Sequence, residues 1–491
     1  MIVRTEGELA YVIDQMRDKP IIAFDTETYE YGYPYTYLVG MSFAWGNKRN
    51  EGCYIPVGHM VGSQLPIDMV LEEVKQILED PEKLIVMHNA TYDMKVATLY
   101  GIEIGEKIWD TMIASWLMNS DSEHGLKDLA WILFKHKMTE LSDICETRKH
   151  PVFENKKVYL VHEVPIDRLG DYAWDDAVQT FKLYEHYRPL IDEEYKKLFY
   201  ELEMEYLHTL CEMEMWGCYV NKEDLLKLGE ELGTALREYE EAVYNARPSK
   251  EKFNLNSTKQ LNQVLFQELK LKPVGAQGKT GNYSVDKEVM KKFAAQGVEI
   301  CARILDYRQL VKLKGTYVDG MSKIITGPDT EMQRLIPDWH LFLKPNPDTG
   351  ELAAPMGFGG YGRIHTSLNR HGTRTGRLSS SNPNLQNIPK NKKYDIRHAF
   401  QFAPKDLSNN GHEKRLAIAD FSQIEYRAAA HVAKCPVMSQ MFWDGIDFHS
   451  RTAPGCWHLD CEVTEVKDKF PEYRDKAKSV NFGGQIASEV A

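Results

Sequence analysis

The chain has 491 residues, enough for roughly three domains with large cores. Its composition, 43 % hydrophobic and 27 % charged, is that of an ordinary globular protein, and no run of about 18 apolar residues suggests a membrane span. Eight scattered cysteines are too sparse for a disulfide scaffold, and the N-terminal residues show no charged-then-apolar leader, so cytoplasmic residence is expected.

Taken in chain order, residues 1–190 alternate strand and helix signals. Ile21–Phe24, Tyr37–Ala44 and Cys53–Val57 read as strands, and 68–79 and 126–135 as helices, which makes this region α/β. Residues 191–325 turn helical, with charged faces at Asp224–Val243 and Val285–Leu313 that suit an extended arm. Residues 326–362 are rich in Pro and Gly and read as loops, turns or an insertion. Strand and loop signals return from 363, followed by helix from about 422 to 434.

The net charge of −12 conceals a local reversal. Residues 361–400 hold eight Arg or Lys (363, 370, 374, 377, 390, 392, 393, 397) against Asp395 alone. With few large apolar residues among them, they read as a basic surface of the kind that meets a phosphate backbone. Cys456, His458 and Cys461 match no common zinc spacing and are read as ordinary side chains.

One acidic constellation stands out near the N-terminus. Asp25 and Glu27 sit two apart at the end of a strand and share a face; such a pair repels itself unless a divalent cation lies between. Leu84–Met87 runs into another acid, Asp93, and Tyr172 and Asp176 lie at i, i+4 on one helix face. Any one of these has an ordinary reading as a cap or a surface charge. In this order they resemble the 3′→5′ exonuclease domain of the DEDD superfamily, in its tyrosine-containing branch. That resemblance implies a ribonuclease H-like fold in which Asp25, Glu27 and Asp176 hold one metal ion. Asp25 holds a second, Asp93 reaches it through water, and Tyr172 orients the attacking water. Asp110 fits a further signature, read as structural.

The C-terminal third carries a second set. Thr373-Arg-Thr-Gly-Arg-Leu-Ser-Ser-Ser-Asn-Pro-Asn-Leu-Gln-Asn-Ile-Pro389 and Ala419-Asp-Phe-Ser-Gln-Ile-Glu-Tyr-Arg427 resemble the template-primer loop and motif A of family A DNA polymerases. By that likeness residues 191–325 form a helical thumb, and 326–491 an incomplete α+β palm with the start of the fingers. Arg363, His365, Arg377, Gln386 and Asn387 contact primer-template DNA. Asp420, ending the apolar strand Leu416–Ala419, anchors two further metal ions, and Glu425 selects deoxynucleotides. Arg474, Lys478 and Phe482, one stripe of a helix, join His449 in holding the incoming nucleotide.

The expected cofactor is Mg²⁺, two per active site, with Mn²⁺ as the alternative. Expected partners are primer-template DNA, a single-stranded DNA 3′ end and dNTPs, with no membrane. The family pattern departs near Gly483, where Ile486 stands in a tyrosine's place, and a second catalytic aspartate does not follow. The expectation is therefore a phage-type family A polymerase with a proofreading exonuclease, truncated within the fingers and weak in synthesis alone. Two alternatives stay open: an exonuclease with a DNA-holding remnant, or one subunit of a split polymerase completed by a second polypeptide.

Overall fold

A computed structural model describes the chain except residues 49, 154–155, 275–276, 279–280, 328–332, 335, 346–351, 354–359, 392, 403–416 and 491, and except the side chains of 345, 482 and 484–490. The chain forms two compact units, Met1–Lys414 and Arg415–Ala491. The divisions expected at 190 and 325 fall inside the first.

The first unit is built on β1 (Ile21–Glu30), whose opening apolar residues Ile22, Ala23 and Phe24 are all buried. Both faces of this strand are covered, which is why its start reads as a continuous apolar run. It pairs antiparallel with β2 (Thr36–Ala44), which pairs antiparallel with β3 (Gly52–Pro56). On its other side β1 runs parallel to β4 (Leu84–Met87), and β4 parallel to β5 (Ile108–Asp110), giving the order β3-β2-β1-β4-β5.

Helix α1 (Glu6–Arg17) starts at a capping box between Thr5 and Glu8. Helices α2 (Ile67–Leu78) and α3 (Ala90–Leu99) flank β4 in sequence, followed by α4 (Thr111–Met118) and α5 (Leu126–Phe134). The 29-residue α6 (Ile166–Glu194) packs across β1, β2 and β3. The expected strands at 37–44 and 53–57 and helices at 68–79 and 126–135 are present within a residue at their ends, but the strand expected to close at Phe24 runs on to Glu30, so Asp25 and Glu27 lie within β1 and not at its end.

Asp110 has the structural role its position suggested. Its carboxylate accepts backbone N–H groups from Asn89, Ala90, Met112 and Ile113, capping α4 and fixing the turn into α3.

Helices continue through 205–325, including Lys222–Asn245. The single helix expected over 285–313 is two, Lys287–Ala295 and Glu299–Lys312, separated at Gly297 (φ +87°), where a left-handed backbone ends the first. Short antiparallel pairs follow: Cys218–Tyr219 with Arg363–Ile364, and Ser367–Asn369 with Ser379–Ser381.

Much of the Pro- and Gly-rich stretch 326–362 lies outside the described residues, but Ile336–Phe342 is not a solvated loop. Ile336 and Phe342 are buried against Tyr29 of β1 and Tyr31 and Tyr35 of the turn that follows it, and Asp338 accepts from Tyr29 and Arg148.

The second unit contains the helices Ile424–Val432, Pro436–Trp443, Phe448–Trp457, Val466–Lys469 and Pro471–Val490, of which the last three meet on a small core of Ala453, Val466 and Ala477. The strand expected at 416–419 is not formed as read. Leu416 lies outside the described residues, and Ala417–Phe421 is irregular, with Ile418 93 % and Phe421 79 % exposed. A strand needs a ladder partner for its N–H and C=O groups, and this segment has none among the described residues.

Candidate active site

Period-two geometry sends Asp25 and Glu27 to the same side of β1. A register shift between Glu27 and Thr28 then turns the strand away, and Gly40 lies opposite Glu27. A Cβ at Gly40 would overlap the Tyr54 ring, so the bare backbone there lets the ring close under the acidic pair. Helix α6 supplies Asp176 one turn after Tyr172. Carboxylate oxygens of Asp25, Glu27 and Asp176 all lie within 4.8 Å of one another. Glu27 and Asp176 are buried and Asp25 half-buried.

Asp93 is buried beside this trio, but its Oδ1 is engaged by Thr26, accepting the backbone N–H at 2.9 Å and the hydroxyl at 2.6 Å. It stands as a neighbouring charge outside the three-carboxylate group, and no second metal group is found among the described residues.

The electrostatics fit this crowding. Burial first, then the charge of Asp93, raises the Asp25 carboxyl. Burial, then Asp25 and Asp176, raises Glu27; burial and Asp25 raise Asp176. Asp93 is pushed up to about 7 by burial, against the pull of its Thr26 hydrogen bonds. Tyr172 is raised by burial and by the surrounding carboxylates.

One cation offsets the cluster. Lys127, on α5, donates from Nζ to the Tyr172 hydroxyl at 3.2 Å, sits 4.7 Å from that ring's centroid, and pairs with Glu140 at 3.3 Å. Its charge favours the ionised forms of Asp25, Glu27 and Asp176. Sequence reasoning missed Lys127, since only the packing of α5 on α6 brings it there.

A cleft of about 390 Å³ is lined among others by Tyr31, Tyr33, Tyr92, Lys95, Lys156 and Asn369; none of the clustered carboxylates lines it, but Tyr92 is the chain neighbour of Asp93. The Tyr92 and Thr28 hydroxyls share a short hydrogen bond, tying the cleft wall to β1.

The residues expected to touch DNA divide into two groups. Arg363 is buried: its Nη1 donates to the Gly217 carbonyl at 3.3 Å and the guanidinium lies 5.7 Å from the Trp216 ring. That corrects the reading of Arg363 as basic surface, because an internal carbonyl and an aromatic face take the charge. His365 is half-buried, held by the Glu214 carbonyl at 2.8 Å and pushed down to about 4 by burial, and lines the cleft as a neutral ring. Arg377, Gln386 and Asn387 are exposed, as a contact surface requires. Lys392 lies outside the described residues.

In the second unit Asp447 organises the expected nucleotide site. Arg474 donates to it through Nε at 2.9 Å and Nη2 at 3.0 Å, and Ser450 through N–H and hydroxyl at 2.8 and 2.6 Å. Burial alone would raise this carboxyl, but the Arg474 and Ser450 hydrogen bonds hold it at about 2. His449 is buried, its Nδ1 3.0 Å from Asn481 Nδ2. Lys478 pairs with Asp475 at 2.7 Å, and the Phe482 and Ile486 side chains lie outside the described residues. Asp420 is exposed on irregular backbone, and Glu425 is half-buried on the first helix of this unit.

Two carboxylates from a mixed five-stranded sheet and one from a helix, converging beside a tyrosine and a lysine, form a hard-oxygen donor set of the class that suits a divalent cation. Comparison with known sequences sharpens this. The pattern of the family described as "3'-5' exonuclease" matches residues 1–192, and that of "DNA polymerase family A" matches residues 222–486. The chain belongs to DNA polymerase family A and carries that family's 3′-5′ exonuclease domain.

Among its relatives, DNA polymerase I of Chloroflexus aurantiacus is 34 % identical over 98 % of this chain and 46 % of its own length. DNA polymerase I of a Synechocystis strain is 32 % identical over 98 % of this chain and 44 % of its own. The chain thus spans about half the length of the curated relatives it matches, and these relatives are bacterial enzymes. The solved structure titled "POL domain of Pol1 from M. smegmatis complex with DNA primer-template and dNTP" shares the fold, with a TM-score of 0.66 at 24 % identity. That match covers 98 % of this chain and 71 % of that one. No helix among the described residues is long and apolar enough to cross a membrane.

Proposed function

We propose that the chain is a DNA-templated DNA polymerase with a 3′→5′ proofreading exonuclease, and that the exonuclease centre is the Asp25–Glu27–Asp176 cluster. The observation that carries this reading is Glu27 Oε1, a buried carboxylate oxygen with no hydrogen-bond partner, set among other carboxylates. A buried charge left so is costly unless a cation meets it.

The all-oxygen donor set suits Mg²⁺, with Mn²⁺ as the alternative. Asp25, Glu27 and Asp176 are the residues that would hold it, with Asp93 behind them. Bound divalent cations supply a water of lowered pKa and stabilise charge on the attacking and leaving oxygens.

The chain's own groups do the rest. Lys127 donates to the Tyr172 hydroxyl, whose own proton is turned to Asp176, and the phenol held between them would orient an incoming water. The cleft takes the 3′ end of a DNA strand: the half-buried rings of Tyr33 and Tyr92 offer surface for bases, and Lys156 a charge for phosphate. Primer-template DNA would lie on the exposed Arg377, Gln386 and Asn387, and a dNTP near Arg474, Lys478 and His449. The likeness to a neighbour whose title names both ligands supports this reading.

The test is degradation of a 5′-labelled single strand with Mg²⁺. Stepwise shortening from the 3′ end, lost in Glu27→Ala, is expected; undiminished shortening by that variant refutes the assignment.

Synthesis is proposed to need a carboxylate beyond Asp420. Asp420 is exposed, and no other carboxylate joins it in a metal group among the described residues. The exposed Ile418 and Phe421 beside it suit a further polypeptide segment carrying that group, in cis or from a second chain. Primer extension by these 491 residues alone is expected to be weak.

A further inference from the structure

The basic loop 373–377 is held from below by residues far away in the sequence. Arg370 makes a bidentate pair with Glu203, from Nε at 2.7 Å and Nη2 at 2.6 Å, and its third nitrogen, Nη1, donates to the Gly376 carbonyl at 2.5 Å. Glu203 has no exposed surface and the Arg370 side chain is 11 % exposed, so this ion pair is interior. The guanidinium lies 4.7 Å from the ring centroid of Trp116, on α4, whose indole N–H donates to the Thr373 carbonyl at 3.0 Å.

Two carbonyls of the loop, at 373 and 376, are thus pinned on either side of Arg374, and the second adjoins Arg377. Gly376 has φ +74°, and a Cβ there would stand 3.4 Å from both Arg370 Nη1 and the Trp116 ring. The joint therefore needs glycine for its left-handed backbone, while the space around a Cβ would be ordinary contact.

We infer that Trp116 and Glu203 are positioning residues for the DNA-gripping loop: the exonuclease domain, through α4, and the helical segment after it set the geometry in which Arg377 is presented. This rests on the proposed reading that the loop contacts duplex DNA. Its physical basis is pre-organisation. Arg370 spends its donors on Glu203 and a loop carbonyl, and that fixes the loop before DNA arrives. Removing Glu203's charge leaves the guanidinium without its match and frees the loop, so ordering it becomes part of the cost of binding.

The test uses the full chain in EDTA and a labelled primer-template duplex read by fluorescence anisotropy. Glu203→Gln is expected to weaken duplex affinity about tenfold, equivalent to about 1.4 kcal/mol. Trp116→Phe, which keeps a ring under the guanidinium but loses the N–H donor, is expected to weaken it less. Gly376→Ala disturbs the same joint from the loop side and is expected to resemble Glu203→Gln. Amide exchange over 373–377 should quicken in all three, while Mg²⁺-dependent shortening of single strands by Glu203→Gln stays at the wild-type rate.

Arg377→Ala separates the two layers of the claim. If it leaves duplex affinity unchanged, the loop does not hold DNA, and both readings fall. If it weakens binding while Trp116→Phe, Glu203→Gln and Gly376→Ala all stay within twofold of wild type, the brace alone is overturned. Loss of the fold in Glu203→Gln would leave Trp116→Phe and Gly376→Ala to decide by the same criteria.

Discussion

Without metal, the carboxylate cluster should make the protein less stable as pH rises, which is opposite to the usual behaviour of surface acids. Asp93 is the worked case. Its folded-state value of about 7 lies about 3 units above the ordinary 3.8, each unit being about 1.4 kcal/mol. Between about pH 4 and pH 7 the folded state keeps a proton that the unfolded chain has released. Stability therefore falls through that window, by about 4 kcal/mol from this residue, and levels off above it.

Asp25, Glu27 and Asp176 are shifted in the same direction and add to the slope. A divalent cation competes with those protons, so Mg²⁺ should restore stability at pH 8 and do little at pH 5. At a hundredfold excess over its dissociation constant the gain is about 2.7 kcal/mol. Thermal unfolding followed by circular dichroism, in EDTA and in Mg²⁺ at both pH values, measures this. Glu27→Gln should unfold at higher temperature than wild type in EDTA at pH 8 and lose most of the Mg²⁺ increment. Equal Mg²⁺ increments at pH 5 and pH 8, or a Glu27→Gln midpoint no higher than wild type in EDTA, would refute the reasoning.

Tyr172→Phe should lower the single-strand exonuclease rate by about 10- to 100-fold while calorimetric Mn²⁺ affinity stays at the wild-type value, because the phenol orients water without holding metal. Lys127→Met should tighten Mn²⁺ binding, since it removes a cation from the cluster, yet slow shortening of single strands; unchanged affinity would show that the lysine's charge does not reach the carboxylates. Phe342→Ala should cost about 3–5 kcal/mol in denaturant titrations followed through the first unit, because the ring fills space between Tyr29 and Tyr31. In the second unit Asp447 stabilises above about pH 4 and loses that contribution as pH falls toward 2, so Asp447→Asn should flatten the acid limb of its unfolding profile.

What the sequence could convey follows the range of its signals. The period-two placement of Asp25 and Glu27 and the helical spacing of Tyr172 and Asp176 are local geometry, and both survive into the folded site. Contacts between distant segments leave no such trace. Lys127 reaches Tyr172 only through the packing of α5 on α6, and Glu203 meets Arg370 across 167 positions.

The count of cations over 361–400 treated Arg363 and Arg370 as surface. Their partners, the Gly217 carbonyl and Glu203, lie far upstream and draw both inside. The segment Ile336–Phe342 was masked by neighbouring Pro and Gly, although Ile336, Trp339, Leu341 and Phe342 within it carry an apolar signal that its burial explains. At Ala417–Phe421 the apolar pattern was real, but apolar residues form a strand only where a neighbouring strand can pair with them.

The most direct measurement is anomalous scattering from crystals of the chain soaked in Mn²⁺. A peak among Asp25, Glu27 and Asp176, at about 2.1 Å from their oxygens and absent from Glu27→Ala crystals, is the predicted result. Saturating Mn²⁺ with no peak between those three side chains would contradict the assignment of a metal-dependent nuclease centre to this cluster.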